Sequence, residues 1–172
     1  MNQPRLYLMV GYPGAGKTTV ARWIAEQTGA VHLWADVERN KLFSKPIHSE
    51  AESDQLYAQL NERTESLLAE GKSVIFDTNF NHYSDRQLLR EIAARHHARV
   101  IIIWVATPVG IARERAVHSQ IVRNGYDFTM SPAQFDAIAA KLESPRSNEK
   151  IIKIDGTKLD AETVLGLIDT VD

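Results

Sequence analysis

The sequence predicts a three-layer α/β fold: a five-stranded parallel sheet covered by helices on both faces, with a small helical lid. Three observations predict it. Short β-branched apolar runs alternate with longer segments of helical period, and this alternation builds parallel sheets through crossover connections. The runs are continuously apolar, as strands covered from both sides require. The first run leads directly into Gly11-Tyr12-Pro13-Gly14-Ala15-Gly16-Lys17-Thr18, a complete phosphate-binding loop that opens a helix.

In chain order, the strands are expected at 6–10, 31–34, 73–76, 100–106 and 151–154. The helices are expected at 17–27, 37–43, 53–70, 85–96, 108–117, 132–142 and 161–171. Several boundaries are marked chemically. Ser53 or Asp54 is placed to cap the long third helix, which ends at Gly71, and Leu56, Leu60, Leu67 and Leu68 form its core-facing stripe. Thr107-Pro108 starts the fifth helix, and Ser131-Pro132 with Gln134 starts the sixth. Segment 119–130, with Gly125 and mixed polarity, has the least regular pattern and is the candidate lid.

Composition narrows the function classes. A chain of 172 residues with 44% hydrophobic content fits one domain, 1–172. The net charge of −2 gives no global basic footprint for wrapping nucleic acid, although a local basic groove remains compatible with it. The absence of cysteine removes disulfides, thiolate metal sites and thiol nucleophiles, and fits a cytoplasmic protein. The N-terminus shows no signal-peptide pattern, and no apolar run is long enough to span a bilayer. The six histidines, His32, His48, His82, His96, His97 and His118, have no zinc-site spacing and read as solvent-facing or locally hydrogen-bonded. His82 and His118 are the two nearest the expected cleft in sequence. Trp23, Trp34 and Trp104 read as packing residues.

The loop carries the clearest chemistry. Its glycines allow the backbone to turn with positive φ so that successive N–H groups face phosphate oxygens. Lys17 is placed to reach the β- and γ-phosphates of a nucleotide and Thr18 to ligate Mg²⁺, while the helix beginning at Lys17 adds its positive end beneath the anion. The expected nucleotide-binding set is Gly11, Pro13, Gly14, Ala15, Gly16, Lys17, Thr18 and Thr19.

Ligands in such sheets bind beyond the carboxyl ends of the strands. There the chain places Asp36, Glu38 and Arg39 after the second strand, and Asp77-Thr78-Asn79-Phe80-Asn81 after the third. Arg113 and Arg115 lie on the helix after the fourth, and Asp155-Gly156-Thr157 follows the fifth. An apolar run ending in Asp77 has the form of a second carboxylate near Mg²⁺. Asp36 is either a helix N-cap or a group that orients and deprotonates a hydroxyl acceptor. Arg39, Arg113, Arg115 and Arg123 are candidate phosphate cations, but Arg113 and Arg115 are two apart on one helix and cannot both face the site.

The loop, Asp36 with Arg39, and the Asp77–Asn81 segment together resemble the compact phosphate-loop kinases related to the kinase domain of bacteriophage polynucleotide kinase, within a group that includes gluconate kinase-like, zeta-toxin-like and antibiotic phosphotransferase proteins. The resemblance spans nearly the whole chain. It implies the P-loop NTPase fold, ATP as phosphoryl donor and Mg²⁺ as cofactor. It also implies Lys17, Asp36 and Arg115 as catalytic residues, with Asp36 the general base. Arg39, Asp77, Asn79 and Arg123 are implied on the acceptor side, Thr18 and Asp77 near the metal, and Arg115, Gly156 and Thr157 near the nucleotide. The pattern departs from the family where His118-Ser119 stands in place of a second lid arginine, a role that falls to Arg123.

The expected function is transfer of the γ-phosphoryl group of ATP to a hydroxyl, with a nucleic-acid 5′-hydroxyl as leading acceptor. A sugar, metabolite or antibiotic is the alternative. A nucleotide-dependent binding switch is a further reading, although the chain lacks an Asn-Lys-x-Asp guanine motif, and a substrate-poor ATPase or toxin-like kinase is another.

Overall fold

The computed structural model describes residues 3–118 and 130–170. Arg123 and all but the last residue of the candidate lid lie outside the described residues. Five strands, β1 (Arg5–Val10), β2 (Val31–Trp34), β3 (Val74–Asp77), β4 (Arg99–Ala106) and β5 (Ile151–Asp155), form one parallel sheet in the order β2-β3-β1-β4-β5. Around it lie α1 (Lys17–Thr28), α2 (Ala35–Leu42), α3 (Glu50–Ala69), α4 (Tyr83–Arg95), α5 (Val109–His118), α6 (Pro132–Ala139) and α7 (Ala161–Asp169).

Alternation along β1 explains the uniformly apolar strands. Leu6, Leu8 and Val10 face a core completed by Leu56, Leu60 and Leu68 of α3 and by Leu89 and Ile92 of α4. Tyr7 and Met9 face a second core with Val20 and Ile24 of α1 and Val164 and Ile168 of α7. Each buried aliphatic side chain contributes roughly 1.5–3 kcal/mol of transfer free energy, so the three layers are held from both faces of the central strand. That strand's carboxyl end is where the phosphate loop begins.

Several element boundaries differ from expectation by one to a few residues. β2 passes into α2 without an intervening loop, and Trp34 occupies the N-cap position. Asp36 therefore lies inside the first turn and is not the cap. The helix α3 starts at Glu50, because Ser49, instead of Ser53 or Asp54, accepts a hydrogen bond from the Glu52 amide at 3.2 Å. Glu52 in turn accepts from the amides of Ile47 and His48, at 3.1 and 2.8 Å, and so pins the α2–α3 connection. The helix α6 ends at Ala139, short of residue 142, although its expected start is present as a capping box between Ser131 and Gln134. The two strand tryptophans are half-buried: Trp104 packs against the edge of the core, and Trp34 lies beneath the guanidinium of Arg22.

A buried ion pair fastens the sheet's front edge. Arg86 of α4 binds Glu149 through Nε and Nη2, at 2.8 and 3.0 Å, and both side chains are fully buried. The same guanidinium donates to the carbonyl oxygens of Phe80 and Glu143, at 3.0 and 3.2 Å. One side chain thus ties the segment after β3 to the connection between α6 and β5. Burial by itself raises the carboxyl pKa of Glu149, but the bonds from Arg86 and from the Arg146 amide outweigh it and hold the group below its ordinary value.

Candidate active site

The loop between β1 and α1 is built for close approach. Gly14 adopts φ 77°, and a Cβ there would collide with the Ala112 carbonyl oxygen of α5, so the loop and α5 pack backbone to backbone. On the far side, a Cβ at Gly156 would collide with Thr107 Oγ1 and lie 2.6 Å from the Ala15 carbonyl oxygen. Thr107 Oγ1 donates to that same carbonyl at 2.8 Å. No side chain caps the start of α1, where Gly16 takes the N-cap position with φ 107°. The first amides of α1 are thereby left to the loop's concave side, an arrangement suited to an anion.

Lys17 is buried, and its Nζ donates to the carbonyl oxygens of Gly11 and Tyr12 at 3.0 and 2.8 Å, which keeps the ammonium over the loop. Thr18 is half-buried behind it and Thr19 is exposed. Arg115 reaches the loop after β5, where its Nη1 donates to the Gly156 carbonyl oxygen at 2.8 Å. Thr157 is turned toward Asp155, donating to Oδ1 from its amide and its hydroxyl at 2.9 and 2.6 Å. Arg113 faces away and pairs with Asp136 of α6 through two hydrogen bonds of 2.9 and 3.2 Å. As their spacing required, the two arginines of α5 have separate surroundings.

On the β2–β3 side the structure brings Asp36, Asp77, Lys17 and Arg39 into one electrostatic cluster. Asp36 is exposed in the first turn of α2, with enough protein close by to desolvate its carboxyl in part. Its pKa is raised, first by this desolvation and then by the charge of Asp77, against the opposing pull of Lys17, His48 and Arg39. Asp77 is 3% exposed at the end of β3. Arg39 is buried. It donates from Nη2 to Ser53 Oγ at 3.1 Å, and its Nη1 lies 3.6 Å from Glu52 Oε2, beyond hydrogen-bond reach. Tyr57 Oη and Thr78 Oγ1 are 2.7 Å apart beside this group, and burial raises the tyrosine pKa. Asn79 is half-buried on the same segment, and Phe80, with φ 46°, turns it back so that its ring packs on Phe76 at 4.9 Å.

Two histidines belong to this side and two others do not. His32 Nε2 lies 3.0 Å from Asp77 Oδ2, and His48, with φ 55°, lies close enough to Asp36 and Arg39 for their charges to act on it. Burial is the main cause that lowers the pKa of His48. Position in sequence pointed instead to His82 and His118, which are exposed and stand near Glu143 and Glu114. His32 becomes recoverable only once β2 is known to pair with β3, since the residue two before the strand's end can then reach diagonally to its neighbour's last residue. The hydroxyl of Thr107 was also missed, because its partner is a backbone atom far away in sequence.

The donors that the sequence reading offers a metal are the Thr18 hydroxyl and the Asp77 carboxylate, and no group of three or more His, Asp or Glu side chains among the described residues has metal-site geometry. Two hard oxygen donors fit Mg²⁺, which usually takes one or two protein ligands and completes its shell with phosphate oxygens and water. On the opposite side of the loop, a recess of about 530 Å³ lies between Tyr12, Trp104, Pro108, Leu142 and Lys153. It lies on the β4–β5 side, whereas the carboxylates lie at the ends of β2 and β3. Among the described residues no helix is long and apolar enough to cross a membrane.

Comparison with known proteins follows the same outline. A protein of Mycobacterium tuberculosis without an assigned function is 29% identical over 125 residues, 66% of this chain, and this chain spans only 25% of that protein. A provisionally named adenylate kinase of Thermococcus gammatolerans is 28% identical over 165 residues, covering 93% of this chain and 81% of its own length. Among solved structures, a provisionally named kinase from Chloroflexus aurantiacus superposes with a TM-score of 0.79 at 19% identity, covering 99% of this chain and 97% of its own. A gluconokinase from Sinorhizobium meliloti does so with a TM-score of 0.68 at 23% identity, covering 99% and 95%. These structural likenesses establish the shared three-layer α/β fold. The family model described as an AAA domain matches residues 6–145, and the chain belongs to that family.

Proposed function

We propose that this protein is an ATP-dependent phosphotransferase that moves the γ-phosphoryl group to a hydroxyl acceptor. The observation that carries the reading is Asp36, a carboxyl set just after β2 beside Asp77 and within the field of Lys17 on the phosphate loop, its pKa raised by desolvation. A general base works best when its pKa is moved toward the operating pH. Asp36 accepts the acceptor's hydroxyl proton as the new O–P bond forms and the bond between the γ-phosphorus and the ADP oxygen breaks. Lys17 and the loop amides neutralise charge on the phosphates, and Arg115 meets the nucleotide beside Gly156. Thr18 and Asp77 would hold a magnesium ion, which would supply further charge neutralisation.

The acceptor has two readings. A compact polyhydroxylated molecule is supported by the charge around Asp36, because Arg39 already faces Glu52 and Ser53, and Asp36 and Asp77 add acidic character. A groove for single-stranded nucleic acid ordinarily combines basic side chains with stacking aromatics. A nucleic-acid 5′-hydroxyl is the second reading, favoured by the Asp77–Asn81 segment on which the resemblance to polynucleotide kinases rests. ADP release is measured with ATP and Mg²⁺ over sugars, nucleosides and 5′-hydroxyl oligonucleotides, for the native chain and for Asp36→Asn. The expected result is acceptor-dependent release that Asp36→Asn lowers by roughly 10²–10⁴. Nucleotide binding with no release in any arm would favour a switch.

A further inference from the structure

Asp77 is held by a neighbour whose own surroundings are unusually well defined. Its Oδ2 lies 3.0 Å from His32 Nε2, with the two side chains 3% and 16% exposed. A carboxylate only accepts hydrogen bonds, so the proton in this bond sits on Nε2. The imidazole lies flat against Trp34, with centroids 5.7 Å apart and planes within 4° of parallel. On Trp34 rests the guanidinium of Arg22, 5.0 Å from the ring centroid. Arg22 follows Thr18 by four residues on α1, so both occupy one face of that helix. The sequence of contacts Arg22, Trp34, His32, Asp77 therefore runs from the helix that carries Thr18 to the strand end that carries the carboxylate paired with it in the reading above.

We propose that His32 is a positioning residue for Asp77. Its Nε2–H occupies Oδ2, fixes the side-chain rotamer at the end of β3, and leaves Oδ1 for the magnesium shell or the acceptor. Packing alone would be served by any flat ring on Trp34, whereas a buried carboxylate needs a donor. The inference rests on the reading that Asp77 serves the phosphotransfer site, and it adds a residue that contacts neither phosphate nor acceptor. Outer-shell hydrogen bonds of this kind ordinarily account for about 10–100-fold in metal affinity or activity.

Three variants separate positioning from packing. His32→Phe keeps the stack on Trp34 and loses the donor, His32→Gln places an amide N–H where Nε2 stands, and Asp77→Asn is the reference. Two quantities are measured on each full-length protein: the gain in ATP affinity on adding Mg²⁺, by calorimetry, and kcat and KM for ATP-dependent ADP release. His32→Phe leaves the buried carboxylate without its donor and is expected to lower the urea midpoint while still folding, to lose most of the magnesium-dependent gain as Asp77→Asn does, and to lower kcat by about 10–100-fold with a smaller change in KM. His32→Gln is expected to restore most of both. A His32→Phe protein with native kcat and native magnesium gain overturns the proposal, as does a His32→Gln protein as impaired as His32→Phe. If Asp77→Asn leaves both quantities unchanged while Asp36→Asn abolishes transfer, the role of Asp77 fails and that of His32 with it, but the kinase reading stands. If no acceptor supports transfer, the magnesium-linked binding still decides the question of His32.

Discussion

At the scale of the residue, Asp36 stores a conflict between stability and chemistry. Its folded-state pKa is raised by desolvation and by Asp77, so above the ordinary aspartate range the folded chain holds a charge that the unfolded chain holds more easily. Stability therefore falls as pH rises from that range through the raised folded-state value, and the penalty is constant above it. Asp36→Asn removes the penalty. The variant is expected to melt at a higher temperature than the native chain at neutral pH, to lose that advantage on acidification into the ordinary carboxylate range, and to transfer phosphoryl roughly 10²–10⁴ more slowly. Thermal unfolding across pH checks this, and a variant less stable than the native chain at neutral pH would contradict it. The carboxylates themselves were legible in the sequence, because a strand end in a parallel sheet marks where a ligand lies and a glycine-rich loop marks its phosphates. His32 was not. Its partner lies 45 positions away in the chain, and only the pairing of β2 with β3 brings the two together.

At the scale of the element, the loop is a property of its neighbours as much as of its own glycines. Gly14 carries a positive φ and also faces the Ala112 carbonyl of α5 at a distance that no side chain allows. Gly14→Ala is expected to displace α5 from the loop, weakening ATP binding measured by calorimetry more than it lowers the melting temperature. The opposite ordering would place the main role of Gly14 in folding. Arg86 makes the second element-scale prediction. Arg86→Ala leaves Glu149 charged and buried without its partner, a loss of roughly 3–5 kcal/mol in urea unfolding, and a loss below about 1 kcal/mol would contradict the pairing. Because the carboxyl of Glu149 is held below its ordinary value, the native chain keeps this stabilisation above that value and loses it as pH falls through the lowered folded-state pKa. Helix periods and the capping box at Ser131 were readable locally. The start of α3 was misplaced because Ser49, Ser53 and Asp54 are all competent caps, and the choice falls on Ser49, where Glu52 also holds the incoming backbone.

At the scale of the whole molecule, the sheet order places β1 in the centre, with the carboxylates of β2 and β3 on one side and β4 and β5 with the Gly156 loop on the other. The phosphate loop sits between them, so in the proposed reading a donor held at its amides would have its acceptor on one side and its nucleoside on the other. The parallel sheet followed from the alternation of strands and helices, whereas its strand order is known only from the structure. The acceptor's identity did not follow from that alternation, since it depends on side chains such as Arg39 and His48 whose partners are set by tertiary packing. The most direct test of the central claim follows the phosphoryl group itself. ATP labelled at the γ-phosphate is incubated with Mg²⁺, the native chain and a panel of sugars, nucleosides and 5′-hydroxyl oligonucleotides, and the products are resolved. The account predicts label in a phosphomonoester on one acceptor class, formed roughly 10²–10⁴ more slowly with Asp36→Asn and lost with Lys17→Met. Label recovered only as inorganic phosphate, at equal rates in the native chain and in Asp36→Asn, would contradict it.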